Sequence, residues 1–427
     1  MLKNFFPYKK NDSLVRDSFT LFIATMIANA TAYVYHFYMG RVLGPEDYGI
    51  LGVILSLFYI INVPLNVIQM TITKFTAHFH VIKEKERIWA LYSRGLRKLF
   101  FSGVITFLVF LVLSIPLSRF LHIPIQELLV FSPIMILALI LPVTRGVLQG
   151  LQSFKKLGYN MICEGFSKLI LGVTLVFLGF HVSGAIAGIV LSFFIAFILS
   201  RITLKKLLPP SSPSALDTTA IYRYATPVFI SLLALTLYYS IDVLLIKHYF
   251  DELQAGYYVA ASIIGKIIFF GTFSLGLVMF PKVAEMHTMQ KENKHLLSKS
   301  LILMTAGAAV LLLCYFFLPR LIILPLFGNN YLPVISLIGP FGVFMTFFSF
   351  NYLLSLYNLS IQHTSFIRIL VLFNILEILL LVFYHTSLEQ VIWTLSCLMI
   401  ALFILLFLYT YRKKYAATHT LNHYTRV

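Results

Sequence analysis

Charge is what this sequence has least of. Only 11% of its 427 residues are Asp, Glu, Lys or Arg, and acids are outnumbered by bases 16 to 33. A soluble domain keeps about a quarter of its residues charged to hold its surface in water, so a soluble enzyme or binding module is excluded. Cysteine is scarce too. Cys163, Cys314 and Cys397 show no paired spacing and no neighbouring His cluster, which argues against a metal–thiolate site or a disulfide framework. Each sits in an apolar run and is expected to be a buried, inert thiol. Paired carboxylates and Ser/His/Asp sets are also missing, so no catalytic centre, metal or cofactor is expected.

What the sequence has instead is apolar length. Hydrophobic residues make up 59% of the chain, and the mean hydropathy is +0.89. Runs of about twenty apolar residues, the length a helix needs to cross the hydrocarbon core, recur from end to end. They predict an all-α polytopic membrane protein with about twelve spans. The predicted spans are 18–39, 48–70, 99–117, 128–150, 161–180, 184–200, 225–246, 255–281, 301–318, 334–358, 366–384 and 391–411. The first seventeen residues are polar and basic, and the first apolar run is full span length. It reads as helix 1 rather than a cleaved signal.

The net charge of +17 invites a nucleic-acid reading, but the distribution of the bases removes it. With the N-terminus inside, 26 Lys and Arg fall in inner segments and four (Arg41, Arg119, Lys247, Arg320) in outer ones. This is a strong positive-inside pattern. It predicts a multi-pass protein of the plasma (inner) membrane with both termini cytoplasmic, its bases facing anionic membrane lipids. The outer segments are short. The stretch Lys83–Arg87 reads as a solvated turn on the inner side.

One linker stands out near the midpoint, at Leu208-Pro209-Pro210-Ser211-Ser212-Pro213-Ser214, where Pro and Ser favour extended chain. It prompts a search for duplication. The stretch Tyr33–Tyr59 aligns with Ser240–Lys266, placing Gly49 over Gly256. The predicted organisation is therefore two six-helix lobes, 1–207 and 219–427, joined by 208–218 around a central cavity. Two similar bundles can open a site between them to either side by rocking.

Polar residues inside the spans fall on single helix faces. They are Thr25, Asn29 and His36 in span 1, and Asn62, Asn66 and Gln69 in span 2. Span 4 carries Arg145, Gln149 and Gln152; span 10 carries Asn351, Ser355, Asn358 and Gln362. An unpaired amide in hydrocarbon costs several kcal/mol, so such faces point at protein or water. They are either interhelical hydrogen bonds or the wall of a shared hydrated cavity. Six ionisable residues also lie in the spans: Arg145, Glu164, Lys168, Asp242, Lys266 and Glu377. Each would cost roughly 2.5–3.5 kcal/mol facing lipid. Glu164 and Lys168, at i and i+4 with the acid first, read as a structural pair. Arg145 stands near the inner end of its span, within snorkelling reach. Lys266, near mid-span, reads as a contact for an anionic substrate group. Asp242, Glu377 and His36 are candidates for coupling or gating, by binding a proton or sodium ion.

Three segments resemble one family. Gly40-Arg41-Val42-Leu43-Gly44-Pro45-Glu46-Asp47-Tyr48-Gly49 is similar to the signature after helix 1 of the polysaccharide biosynthesis proteins, the oligosaccharide flippases. Arg145-Gly146-Val147-Leu148-Gln149-Gly150 resembles their segment at the end of helix 4. Asp242 with Gly256-Tyr257-Tyr258-Val259-Ala260-Ala261 resembles their hairpin of helices 7 and 8. The resemblance implies the multidrug, oligosaccharidyl-lipid and polysaccharide exporter superfamily, with two lobes around a cavity and alternating access. It implies a lipid-linked glycan on a polyprenyl pyrophosphate as substrate, moved from inner to outer leaflet. Glycosyltransferases and a polymerase of the same pathway are the implied partners. On that reading Arg41, Arg145 and Lys266 suit the pyrophosphate, and Asn29, Asn66, Gln149, Asn351 and Asn358 suit the glycan. Two rivals stand beside it: a cation-coupled drug antiporter of the same fold, and a membrane-embedded glycan polymerase or ligase.

Overall fold

The structure, a computed structural model, describes residues 11–208, 210–211, 229–289, 291–361 and 363–412, with the side chains of 11–19 and a few others excepted. Most of the expected linker at 208–218 lies outside the described residues, as does Gln362. Every regular element among the described residues is helical. In chain order they are α1 (Asn11–Val81), α2 (Lys85–Leu121), α3 (Ile125–Phe131), α4 (Ile134–Gly150), α5 (Phe154–Leu175) and α6 (His181–Leu207). There follow α7 (229–237), α8 (Ile241–Tyr249), α9 (Glu252–Thr288), α10 (Lys294–Phe317), α11 (Pro319–Phe327), α12 (Ile335–Ser360), α13 (Ile367–Phe383) and α14 (Leu388–Arg412).

Nine segments among the described residues are long and apolar enough to cross a bilayer. Two are far longer than one crossing needs: Ile23–Val81, of 59 residues, and Phe154–Leu207, of 54. Each is broken at a glycine. In α1 the break is Gly44, at φ 76 and ψ 174. Pro45 pushes the residue before it out of the helical region, and only glycine takes a positive φ there without strain. The second break is at Gly179 (φ 90), in the π turn Val176–Phe180 between α5 and α6. The expected boundary 39/48 brackets the first break, and the second, at Gly179, falls one residue before the end of the expected span 161–180. At 17 residues α13 is just below the length that defines the nine.

The chain forms two compact units, Met1–Ala260 with Arg320–Val334, and Ala261–Pro319 with Ile335–Val427. In the first, α4 lies against α1, α2 and α6, and α5 lies against α1 and α6. Where α1 leads into α2, both helices run on past the expected span limits. There Ile72, Phe79, Ile88, Leu91 and Tyr92 join Val143, Val147, Leu148, Leu157 and Leu204 in one buried cluster. The turn between them is solvated as expected, with Arg87 and Glu84 paired at 3.1 Å on the surface.

Elsewhere in this unit the aligned glycines meet. A Cβ on Gly256 would lie 1.9 Å from the Pro45 carbonyl oxygen, and one on Gly49 would lie 3.0 Å from the Gly256 nitrogen. The hairpin at Gly44–Gly49 and the start of α9 thus touch backbone to backbone. The segment 320–334 packs on the same hairpin. The Tyr331 hydroxyl donates to the Gly40 carbonyl at 2.8 Å, and the rings of Phe327 and Tyr331 sit against Tyr48.

In the second unit α12 is the central helix, flanked by α10 and α14. The apolar stretch of α10 is only 17% buried, as is that of α2 in the first unit, whereas that of Ile125–Gly150 is 72% buried. Rows of exposed Ile, Leu, Val and Phe on α2, α10 and α13 make these lipid-facing helices, since no aqueous surface would carry such patches. The expectation of buried cysteines is corrected by the same fact. Cys163 and Cys314 are half-buried and Cys397 is exposed, because an apolar run in a membrane helix has a side that meets lipid.

Gly256→Ala places a methyl group against a backbone carbonyl that cannot turn away. It should cost about 1–3 kcal/mol as overpacking, read as a lowered melting temperature of the detergent-purified protein. Gly307→Ala, where a Cβ meets open space, should leave the melt unchanged or raise it.

Candidate functional site

The first unit contains a cavity of about 160 Å³ lined by Phe58, Asn62, Leu65, Asn66, Gln69, Leu141, Pro142, Arg145, Glu164 and Phe193. That is room for several waters. Its polar wall is built from two of the stripes read in the sequence. The second half of α1 supplies Asn62, Asn66 and Gln69 at helical spacing, and α4 supplies Arg145. The stripes are joined at one edge. Gln69 Nε2 donates to Gln149 Oε1 at 2.9 Å, and the Thr73 hydroxyl donates to the same oxygen at 3.3 Å.

Arg145 is held from α5. Its Nε donates to Asn160 Oδ1 at 2.8 Å, and its Nη2 donates to Glu164 Oε2 in a close ion pair. Asn160 is itself fixed, donating from Nδ2 to the Ala196 carbonyl on α6 at 2.7 Å. Arg145 and Glu164 are 13% and 19% exposed, so the pair is in contact with the cavity. The expected Glu164–Lys168 pair is thereby corrected. The guanidinium that α4 brings alongside, oriented by Asn160, meets the carboxylate directly through Nη2. The Lys168 ammonium lies instead over the Tyr35 ring, 5.5 Å from its centroid. Arg145 does not snorkel; its two contacts hold it at the cavity wall.

Asn66 is exposed at the cavity; the other predicted residues are placed elsewhere, Asn29 half-buried on α1. His36 Nδ1 is 3.1 Å from the Tyr48 hydroxyl, within the same broken helix. Arg41 is exposed and donates to the Leu324 carbonyl at 3.3 Å. Asp242 is fully buried and accepts from the Tyr258 hydroxyl at 2.7 Å. Lys247, counted above among the outer bases, is buried, with Glu252 at 3.6 Å.

In the second unit Lys266 and Glu377 are buried in α9 and α13. The span 10 stripe faces α14: Asn351 Nδ2 donates to the Met399 carbonyl at 2.9 Å, and Asn358 Nδ2 donates to the Thr410 hydroxyl at 2.8 Å. Two of the four stripes thus meet at the cavity, and a third bonds one helix to another. Asn160 was not singled out from the sequence. Its signal was there, since residues 160, 164 and 168 repeat at i, i+4 and i+8 on α5.

Residues 14–287 match the family model described as polysaccharide biosynthesis protein. The chain belongs to that family. An uncharacterized membrane protein of Methanocaldococcus jannaschii is 24% identical over 92% of this chain and 98% of its own. Among solved structures, an inward-facing multidrug resistance MATE family transporter of the MOP superfamily superposes with a TM-score of 0.77 at 14% identity, covering 91% of this chain and 97% of that one. An outward-facing structure of a transporter so described gives 0.65 at 17% identity, covering 92% and 94%. This member of the polysaccharide biosynthesis family is therefore a multi-pass membrane protein with the MOP-superfamily transporter fold.

Asn160→Ala removes one of the two bonds on Arg145 and leaves the Ala196 carbonyl without that donor. A cost of about 1–3 kcal/mol is expected for the unsatisfied groups, seen as a lower thermal midpoint in detergent.

Proposed function

We propose that this protein is an exporter of a lipid-linked glycan, carrying a sugar on a polyprenyl pyrophosphate from the inner to the outer leaflet by alternating access. The observation that carries the reading is the cavity in the first unit. It combines amides suited to sugar hydroxyls with a guanidinium suited to a phosphate. Family membership supports it. No catalytic role is proposed.

In this reading Arg145 takes the pyrophosphate, and Asn66 and Gln149 meet the glycan. Arg41, Asn29, Asn351 and Asn358 are further glycan- or phosphate-binding candidates. Lys266, a buried base of the second unit, serves the phosphate at another step of the cycle. A coupling proton or sodium ion would use Asp242 or Glu377, with His36 as a further titratable group. The positive-inside distribution supports cytoplasmic termini and about twelve crossings of the inner membrane, and the internal repeat supports lobes 1–207 and 219–427. Glycosyltransferases and a glycan polymerase would act before and after it.

The test uses the full chain in liposomes with a fluorescent short-chain polyprenyl-pyrophosphate sugar, scored by its protection from a membrane-impermeant quencher. Wild type should translocate it, Arg145→Gln should lose about tenfold or more, and Arg145→Lys should retain part. A wild type that leaves this probe in place but expels a cationic dye along a proton gradient would replace the reading with the drug antiporter.

A further inference from the structure

Arg145 is already occupied. In the unit that holds the cavity, its guanidinium is neutralised by Glu164, and both side chains reach the cavity. Any anion arriving there competes with a carboxylate the protein supplies. We propose that Glu164 is an internal stand-in for the substrate's anionic group, displaced from Arg145 on loading and received by Lys168. This rests on the glycan-exporter reading above and adds to it how the site selects its cargo and how Arg145 stays paired when the site is empty.

Three observations carry the proposal. First, the arginine is anchored independently of the glutamate. Nε is fixed by Asn160, which is tied to the Ala196 carbonyl, so the guanidinium keeps its place when Glu164 leaves. Second, the displaced carboxylate has somewhere to go. Lys168 lies one turn further along α5, about 6 Å in rise, in the favourable acid-first order. In the present state its ammonium rests on the Tyr35 ring, and among the described residues no carboxylate lies within ion-pair distance of it. Third, the rest of the cavity brings no competing charge. The second half of α1 faces it with Asn62, Asn66 and Gln69, α4 with Leu141 and Pro142 beside Arg145, and α6 with Phe193.

The exchange then leaves neither Arg145 nor Glu164 without an opposite charge in either state. When the site is empty, Arg145 is paired with Glu164. When it is loaded, Arg145 is paired with the anion and Glu164 with Lys168. No proton need be taken up. The exchange also sets a threshold. A ligand carboxylate would replace one carboxylate by another and gain little. A pyrophosphate brings more charge and more acceptor oxygens to the same fork, so it can displace Glu164 where a singly charged group cannot.

The full chain is titrated in detergent with inorganic pyrophosphate and, separately, with acetate. Glu164→Gln, which keeps an acceptor on the arginine but removes the competing charge, should bind pyrophosphate about tenfold tighter than wild type, as removal of an occupant held about nine-tenths of the time requires. It should also begin to bind acetate. Lys168→Met should weaken pyrophosphate binding severalfold in wild type but not in the Glu164→Gln background, because no carboxylate is left to receive.

An equal loss from Lys168→Met in both backgrounds makes the lysine a direct ligand and overturns the proposal. So does unchanged or weaker binding by Glu164→Gln. If Glu164→Gln does not fold, Glu164→Asp, one methylene shorter, should shift affinity the same way by a smaller factor, and no shift there overturns the proposal too. A wild type that translocates the lipid-linked probe while Glu164→Gln binds pyrophosphate unchanged refutes only this inference. A wild type that neither translocates nor binds removes the exporter reading with it.

Discussion

A charged guanidinium inside an apolar helix bundle has to be answered before anything else about the site can hold. In the first unit that constraint falls on Arg145, and α5 answers it with Asn160 and Glu164. Deleting one partner of a buried pair typically costs 3–5 kcal/mol, about as much as a core truncation. The spacing of α5 against α4 is therefore set by polar contacts as much as by packing. The amides of α1 complete the wall: they line the cavity without charge and bond to α4 through Gln69 and Gln149.

The same economy of charge explains the fold's other contacts. Where helices need to approach closely, the sequence spends glycine rather than polar side chains. Gly256 meets the Pro45 carbonyl with no side chain between them. Where helices face lipid, as α2 and α10 do, the surface is Ile, Leu, Val and Phe. Charge is reserved for the membrane faces and for a few interior sites.

How much of this was legible depended on whether the physics was local. Helix periodicity is local, so the faces carrying Asn62, Asn66, Gln69 and Arg145 could be read directly, and two of them do share a cavity. The alignment of Gly49 with Gly256 was read as an equivalence between two hairpins; that the two glycines touch was not legible from it. Partner choice is not local. Glu164 and Lys168 satisfy the rule for a helical pair, yet a rule confined to one helix cannot see the guanidinium that α4 brings alongside. The span 10 stripe was legible as a face but not as a purpose, since Asn351 and Asn358 would read the same whether they met water or α14. Lys247 looked like a loop base because sequence position does not show that it is buried beside Glu252. Asn160 stood one residue outside the predicted span 5 and so was not weighed among the in-span polar residues.

The bonds from α12 to α14 also bear on how the chain is assembled. Translation delivers α12 first, with Asn351 and Asn358 already in it, whereas the Met399 carbonyl and the Thr410 hydroxyl they use arrive some fifty residues later. During that interval two amides sit in the membrane without their final partners, each lacking a bond that the bilayer cannot supply. The polar face of α12 is therefore completed only when α14 arrives, so the order of synthesis sets the order in which these amides are satisfied.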